Sequence, residues 1–298
     1  MMRTATRRRF GFAHLVLKGV SQELLGKVGI AIILLFGAMA LVSPFVVSLD
    51  PSVYDPLIGV DPVILSSQGP TLTHPLGTDH IGRDVLSQLL KGSQIAFLVG
   101  ITVGLMATLI GTTIGLISGY FRGVTDSLWM RVTDIVLSIP SLPLLIMILG
   151  VFEHRSISVI VVVLGMTGWP ITARVIRSQT LSLRERPFVQ SAKVAGASNW
   201  RIILVHIAPN VLPLAFLYMT IGVTYAILTE AGLGFLGFSD PTISSWGMML
   251  QWCFSTGHTF MAPYWMIPPG LSISLLALSF YLVGYSFEKE INPRLRET

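Results

Sequence analysis

Residues 187–209 read PFVQSAKVAGASNWRIILVHIAP, a polar interlude between two strongly apolar runs. Arg184, Arg186, Lys193 and Arg201 give it the densest basic flank in the interior of the chain. Pro187 suits the first position of a helix, where a missing N–H costs nothing. Phe188, Ala192 and Ala195 follow at helical spacing and make one face small and apolar. Gly196 ends such a helix in the left-handed conformation. Pro209 then marks a kink or a fresh start in the helix that follows. Two readings fit. One is a solvated loop between two spans; the other is a short helix that docks onto a partner.

Composition sets the surroundings of this elbow. Hydrophobic residues make up 52% of the 298-residue chain and charged residues 12%, against about 25% charged in soluble domains. This is the composition of a membrane protein. The single cysteine, Cys253, excludes an intramolecular disulfide and a cysteine-based zinc cluster. Arg3, Arg7, Arg8 and Arg9 precede a first apolar run that is too long for a signal peptide and lacks a small-residue cleavage site. It reads as an uncleaved anchor.

A bilayer core takes about 20 apolar residues per helix. Six apolar windows free of Lys, Arg, Asp and Glu meet that need: 28–49, 92–121, 135–152, 156–173, 202–229 and about 265–287. The expected fold is therefore all-α, a polytopic membrane protein with six transmembrane helices and both termini on one side. If that side is the cytoplasm, only Arg83, Lys91 and Arg155 of the 20 basic residues lie outside. The positive-inside rule then sets the orientation, with both termini cytoplasmic. The net charge of +5 is topological, and nucleic acid is not its explanation. The organisation that follows is a cytoplasmic segment 1–27, an anchor helix 28–49 and an extracytoplasmic loop 50–93. A five-helix core 94–287, carrying the 187–209 elbow, and a cytoplasmic tail 288–298 complete it.

The loop 50–93 begins proline-rich and turns helical after Gly82, with Val85, Leu86, Leu89 and Leu90 on one face. That is the pattern of an amphipathic helix on the outer surface. Asp79, Arg83 and Asp84 read as an exposed ion pair or a cap rather than a metal site. In the second window Gly100, Gly104, Gly111, Gly115 and Gly119 form a small-residue stripe along which another helix packs closely. Trp169-Pro170 is a kink site. Residues 232–265 are rich in glycine and aromatics, and no regular element is assigned to them.

Several chemistries lack their residues. There is no GxxxxGK[ST] nucleotide loop, no HExxH and no GxSxG. The six histidines are scattered, and neither a catalytic set, a metal site nor a bound cofactor is expected. The span centres also lack ionisable groups of the kind that drive ion-coupled carriers. Glu230 comes nearest, and reads as an interfacial residue at the end of the fifth window. Energy for uphill transport must then come from a partner. Tyr218, Thr220, Thr224 and Tyr225 are candidate path-lining residues, or satisfy neighbouring backbone instead. A stand-alone carrier or channel is the competing class, and a membrane-embedded enzyme a third.

The elbow resembles the cytoplasmic "EAA" loop of bacterial ABC importer permeases, in which EAA, three residues, Gly and nine residues precede I-x-L-P. Gln190, Ser191 and Ala192 take the first three places; Gly196 takes the glycine, and His206 to Pro209 the last four. Ala192, Gly196 and Pro209 match; Gln190, Ser191, His206 and Ala208 depart. Four segments, LGTDHIGRDVLSQLLKGSQIAFLVG (76–100), GYFRGVTDSLWMRVTDIVLSIP (119–140), FVQSAKVAGASNWRIILVHIAPN (188–210) and EAGLGFLGFSDPTISSWGMML (230–250), are similar to signature segments of the dipeptide/oligopeptide/nickel branch, C-type subunit. The resemblance runs from about Lys18 to Ile291. It implies the type I importer permease fold in a bacterial or archaeal cell membrane, and no enzymatic activity of the chain's own. It also implies a B-type permease partner, two cytoplasmic ATPase subunits and an extracytoplasmic substrate-binding protein. The elbow becomes a coupling helix formed by Gln190, Ser191, Ala192, Lys193, Ala195, Gly196, Ala197 and Arg201. Peptides are the expected substrate, with nickel or another small solute left open.

Overall fold

The computed structural model describes residue 20 and residues 23–47, 67–151, 156–240 and 243–291. The basic N-terminus, the proline-rich stretch 48–66 and the tail from 292 lie outside them. Among the described residues ten helices of three or more residues follow in order: α1 (Leu24–Val46), α2 (Val85–Phe121), α3 (Gly123–Ser138), α4 (Ser141–Val151), α5 (Ile157–Thr167), α6 (Pro170–Arg184), α7 (Pro187–Val194), α8 (Asn199–Phe235), α9 (Trp246–Ser255) and α10 (Pro263–Ile291). Among the described residues the extended backbone amounts to one isolated bridge, Thr78 to Asp84. Long apolar helices match five of the six windows: α1, α2, the α5–α6 pair, α8 and α10.

The window 135–152 behaves differently. It is split between α3 and α4, which meet at a 90° bend and reach spanning length only together. The cause is Pro140. The residue before a proline is driven out of the helical region, and Ile139 sits at φ −92°, ψ 128°. The 11 residues of α4 extend about 16 Å, half of a bilayer core.

α2 is the central post, packed against α1, α5, α6 and α8. Its glycine stripe faces two helices in succession. Gly100 and Gly104 lie against Val223 of α8, and Gly100 also against Ile227. Gly111, Gly115 and Gly119 lie against Trp169, Ala173, Ile176 and Thr180 of the α5–α6 arm. The stripe is thus spent within the subunit.

Among the described residues no separate surface helix precedes α2. Val85–Phe121 is one helix of 37 residues, about 55 Å long, longer than an apolar layer of roughly 30 Å. Asp84 caps it, accepting from Ser87 N at 2.7 Å and facing His74 Nδ1 at 3.1 Å. The Asp79–Arg83 pair is buried rather than exposed. Asp79 also accepts from the backbone N–H of Ile81 and Arg83 and from Gln88 Nε2, which draws Gln88 into the interior. The Arg83 guanidinium lies 3.8 Å from the Trp252 ring centroid on α9. Trp246 fixes the other end of α9, donating to Leu89 O at 2.9 Å and resting on Gly92.

His80 stacks on Trp265 of α10 with centroids 5.6 Å apart. Burial holds its imidazole below the ordinary value; Asp79 opposes this, and Arg83 and His258 reinforce it. The unfolded chain, titrating near pH 6.5, therefore takes up its proton first as pH falls. Stability from this contact is present above about pH 6.5 and is lost below it. Thermal midpoints measured from pH 8 to 5 are expected to fall, and His80→Phe to flatten that slope.

Candidate functional site: the elbow and the cavity beside α8

At the opposite end of the bundle from His80, the chain leaves α6 and forms the elbow. Pro187 opens α7 at its first turn. Val189 is the buried residue of this helix. It packs with Ile202, Ile203 and Ile207 of α8 and with Leu116 and Tyr120 of α2, while Ala192 and Ala197 pack at the edge of the same cluster. Gly196, at φ +81°, closes the helix. Ala197 N donates to Ala192 O at 3.1 Å and Gly196 N to Lys193 O at 3.0 Å. This is a Schellman closure, and a glycine meets its left-handed requirement without strain. Ser198 then caps α8 by accepting from Arg201 N.

The elbow turns its other face outward. Val194 is 89% exposed, Trp200 56% and Phe188 43%. Gln190, Ser191, Lys193, Ala195, Gly196 and Arg201 share that exposure. The expected apolar face of Phe188, Ala192 and Ala195 is therefore divided: Ala192 faces inward beside Val189, and Phe188 and Ala195 face outward. Lys193 and Arg201 have no acidic partner among the described residues. Gln190 Nε2 donates to Arg184 O at 3.1 Å and ties α7 to the end of α6.

α8 leaves the elbow through a π-helical turn, Ile202–Ile207, whose last bond runs from Ala208 N to Ile203 O. Pro209 explains it. Its ring and missing N–H are incompatible with the carbonyl four residues back, and the wider turn accommodates that carbonyl. The proline widens the helix without breaking it.

Further along α8, a cavity of about 380 Å³ opens where the chain bends twice. Tyr218, Ile221, Gly222 and Tyr225 form one wall; Ile139, Pro140, Ser141 and Leu144 at the α3–α4 bend form another; Thr167, Gly168, Ile171 and Thr172 at the α5–α6 break form the third. The lining holds hydroxyls but no charge. Thr220 and Thr224 lie elsewhere. The Thr220 hydroxyl donates to Leu217 O, and that of Thr224 to Thr220 O and to Ala277 O of α10. Of the four candidate path residues, the fold brings Tyr218 and Tyr225 to the cavity and packs the two threonines against α10. Ser141 and Thr172 join the lining without having stood out in the sequence; the signal was a proline one or two residues before each, Pro140 and Pro170. Glu230 is buried at 3% exposure beside α9.

Among the described residues no three metal-ligating side chains cluster. One helix, α8, joins the exposed elbow to the uncharged cavity. Residues 111–297 match the family of binding-protein-dependent transport system inner membrane components. The chain belongs to this family. It is an ABC importer permease of the inner membrane, similar to the dipeptide transport system permease protein DppC of Haemophilus influenzae, at 34% identity over 91% of this chain and 90% of that one. It is also similar to the oligopeptide transport system permease protein OppC of Mycobacterium tuberculosis, at 34% identity over 77% and 79% of the two chains. The glutathione transport system permease protein GsiD of Pectobacterium atrosepticum is 31% identical over 77% and 76%. Among solved structures, an inward-facing MetNI methionine ABC transporter superposes with a TM-score of 0.52 at 18% identity, covering 68% of this chain and 94% of that chain. The permease thus shares that fold.

Proposed function

We propose that this permease forms half of the translocation path of a peptide importer and receives its energy through α7. The observation that carries the reading is the outward face of the elbow. Val194, Phe188 and Trp200 leave apolar surface open beside small Ala195 and Gly196, and such a face is built to be covered. The partner is an ABC ATPase, with Arg201 meeting acidic groups at the rim of its groove. A second, B-type permease completes the path, and an extracytoplasmic binding protein delivers the substrate. Both termini and α7 lie in the cytoplasm, on the distribution of basic residues.

ATP binding drives the switch only if the ATPase favours one permease state over the other. α7 transmits that preference through a short lever. Val189 wedges against Ile202 and Ile203, and α8 carries the displacement roughly 25 Å to Tyr218 at 1.5 Å per residue. Peptides are the substrate class shared by the names of the dipeptide, oligopeptide and glutathione relatives. The largely apolar, uncharged lining carries a few hydroxyls that offer hydrogen bonds to peptide groups, and it holds no imidazole, thiolate or carboxylate for a nickel ion.

The test is reconstitution. With partner permease, ATPases and binding protein, liposomes should accumulate labelled dipeptide only with ATP. Uptake by the isolated chain without ATP would identify a stand-alone carrier or channel instead. Ile221→Trp, which fills the cavity, is expected to lower the maximal uptake rate several-fold with little change in folded yield. Unaltered transport by that variant would remove the cavity from the path.

A further inference from the structure

Beside the elbow lies a second, smaller cavity of about 160 Å³, between the ends of α2 and α6 and one flank of α7. Tyr120, Arg184, Gln190, Lys193 and Asn199 line it. We propose that it binds a phosphate group, carried by an anionic phospholipid or present as free phosphate. The inference goes beyond ATPase docking and depends on the proposed orientation only for naming the leaflet.

The cationic groups are placed before any ligand arrives. Arg184 Nη1 donates to Tyr120 O at 2.8 Å, and the guanidinium lies over the Tyr120 ring at 5.8 Å. A guanidinium held this way loses little freedom on meeting an oxyanion and presents its remaining donors as a fixed fork. Lys193 stands on the facing helix without an acidic partner among the described residues. The Tyr120 hydroxyl donates to Asn199 Oδ1 at 2.8 Å, which orients the Asn199 amide and leaves its N–H groups unengaged among those residues.

Negative charge nearby is scarce. Glu185 stands 4.0 Å from Arg184 Nε, but it is shared with Arg122 Nη1 at 3.9 Å and is 62% exposed. Solvent screens so open a carboxylate, and Arg186, Lys193 and Arg201 add positive charge around it. The volume holds several waters at about 30 Å³ each, and so admits a tetrahedral oxyanion. Phe121 and Trp200 meet edge to face, 6.0 Å apart, beside the cavity. Tyr120 in the lining is of a residue type enriched at headgroup depth. On the proposed orientation that is the cytoplasmic leaflet, whose anionic lipids favour basic pockets between helix ends.

The experiment is native mass spectrometry of the full chain with its partner subunits in neutral detergent, offered equal phosphatidylglycerol and phosphatidylcholine. One phosphatidylglycerol per copy of this chain should survive activation that strips the rest. Arg184→Gln and Lys193→Gln should each weaken its retention about tenfold, the worth of one charge-assisted hydrogen bond, and Arg184→Lys should recover part of it. Displacement by millimolar inorganic phosphate would show that the phosphate alone suffices; resistance to it would assign the site to the whole lipid. Equal retention by wild type and Lys193→Gln, an exposed position whose loss leaves the elbow folded, overturns the proposal. So does equal retention of the two lipids without any effect of phosphate.

Discussion

Gly115→Leu is expected to abolish accumulation of folded permease in the membrane. A Cβ at this position would lie 2.7 Å from Ala173 O and 2.7 Å from Ile176 Cβ. One of these is backbone, so no rotamer change relieves the contact; α2 and α6 must separate. Inside a bilayer there is no hydrophobic gain to hold them, because lipid tails are as apolar as the side chains. Close van der Waals contact is what is lost. Overpacking costs about 1–3 kcal/mol where side chains can yield, and the leucine adds three further carbons where they cannot. Against a net stability of about 5–15 kcal/mol, failure to fold follows. Gly115→Ala adds the Cβ alone and recovers up to about 1 kcal/mol of helix propensity, so it should give folded protein with a lowered thermal midpoint. Gly270 is the control: a Cβ there meets nothing in the chain, and Gly270→Ala should behave as wild type. Membrane yield and size-exclusion profile read all three. Wild-type yield from Gly115→Leu would mean that α2 and α6 do not meet at this stripe.

That stripe illustrates what the sequence made legible. The four-residue spacing of glycines identified a packing face, because spacing on a helix is local information. Which helix it met was not local: the upper glycines take α8 and the lower ones the α5–α6 arm, and only the fold's connectivity decides that. Pro140 and Pro170 divide along the same line. Pro170 was legible as a kink, since a proline inside an apolar window interrupts the helix there. Pro140 interrupts a window that charge counting treats as whole, and a hydropathy count does not register a backbone that must turn. Asp79 and Arg83 were read from exposure statistics as a surface pair. Their burial depends on Trp252, distant in sequence, covering the guanidinium.

The elbow was the most legible part, because its signals are all short-range. Pro187 at the first turn and Gly196 at positive φ follow from covalent geometry alone. Its orientation was not. Helical spacing placed Phe188, Ala192 and Ala195 together, but the burial of Val189 rotates α7 so that Ala192 turns inward. Tyr218 and Tyr225 reach the cavity while Thr220 and Thr224 face α10 for the same reason: α8 is apolar on every side, and its own sequence does not say which side meets a neighbour.

Gly196 separates two roles that the same residue fills, and substitutions there should rank in opposite orders for stability and for transport. Its φ of +81° demands a residue that tolerates the left-handed region, yet a Cβ would meet no atom of this chain. Asparagine visits that region readily and alanine does not, at a cost of about 1–2 kcal/mol. If Gly196 serves conformation alone, Gly196→Asn should outperform Gly196→Ala in every assay. If it also lets an ATPase approach the α7 backbone, the larger side chain is the more harmful one once the complex assembles. The expected result is the second. Gly196→Asn should keep a near wild-type thermal midpoint in the isolated chain and lose tenfold or more of ATP-driven uptake, which corresponds to about 1.4 kcal/mol of coupling. Gly196→Ala should melt lower and transport better than the asparagine variant. Asparagine superior in both measurements would leave α7 as a well-capped helix whose glycine touches nothing.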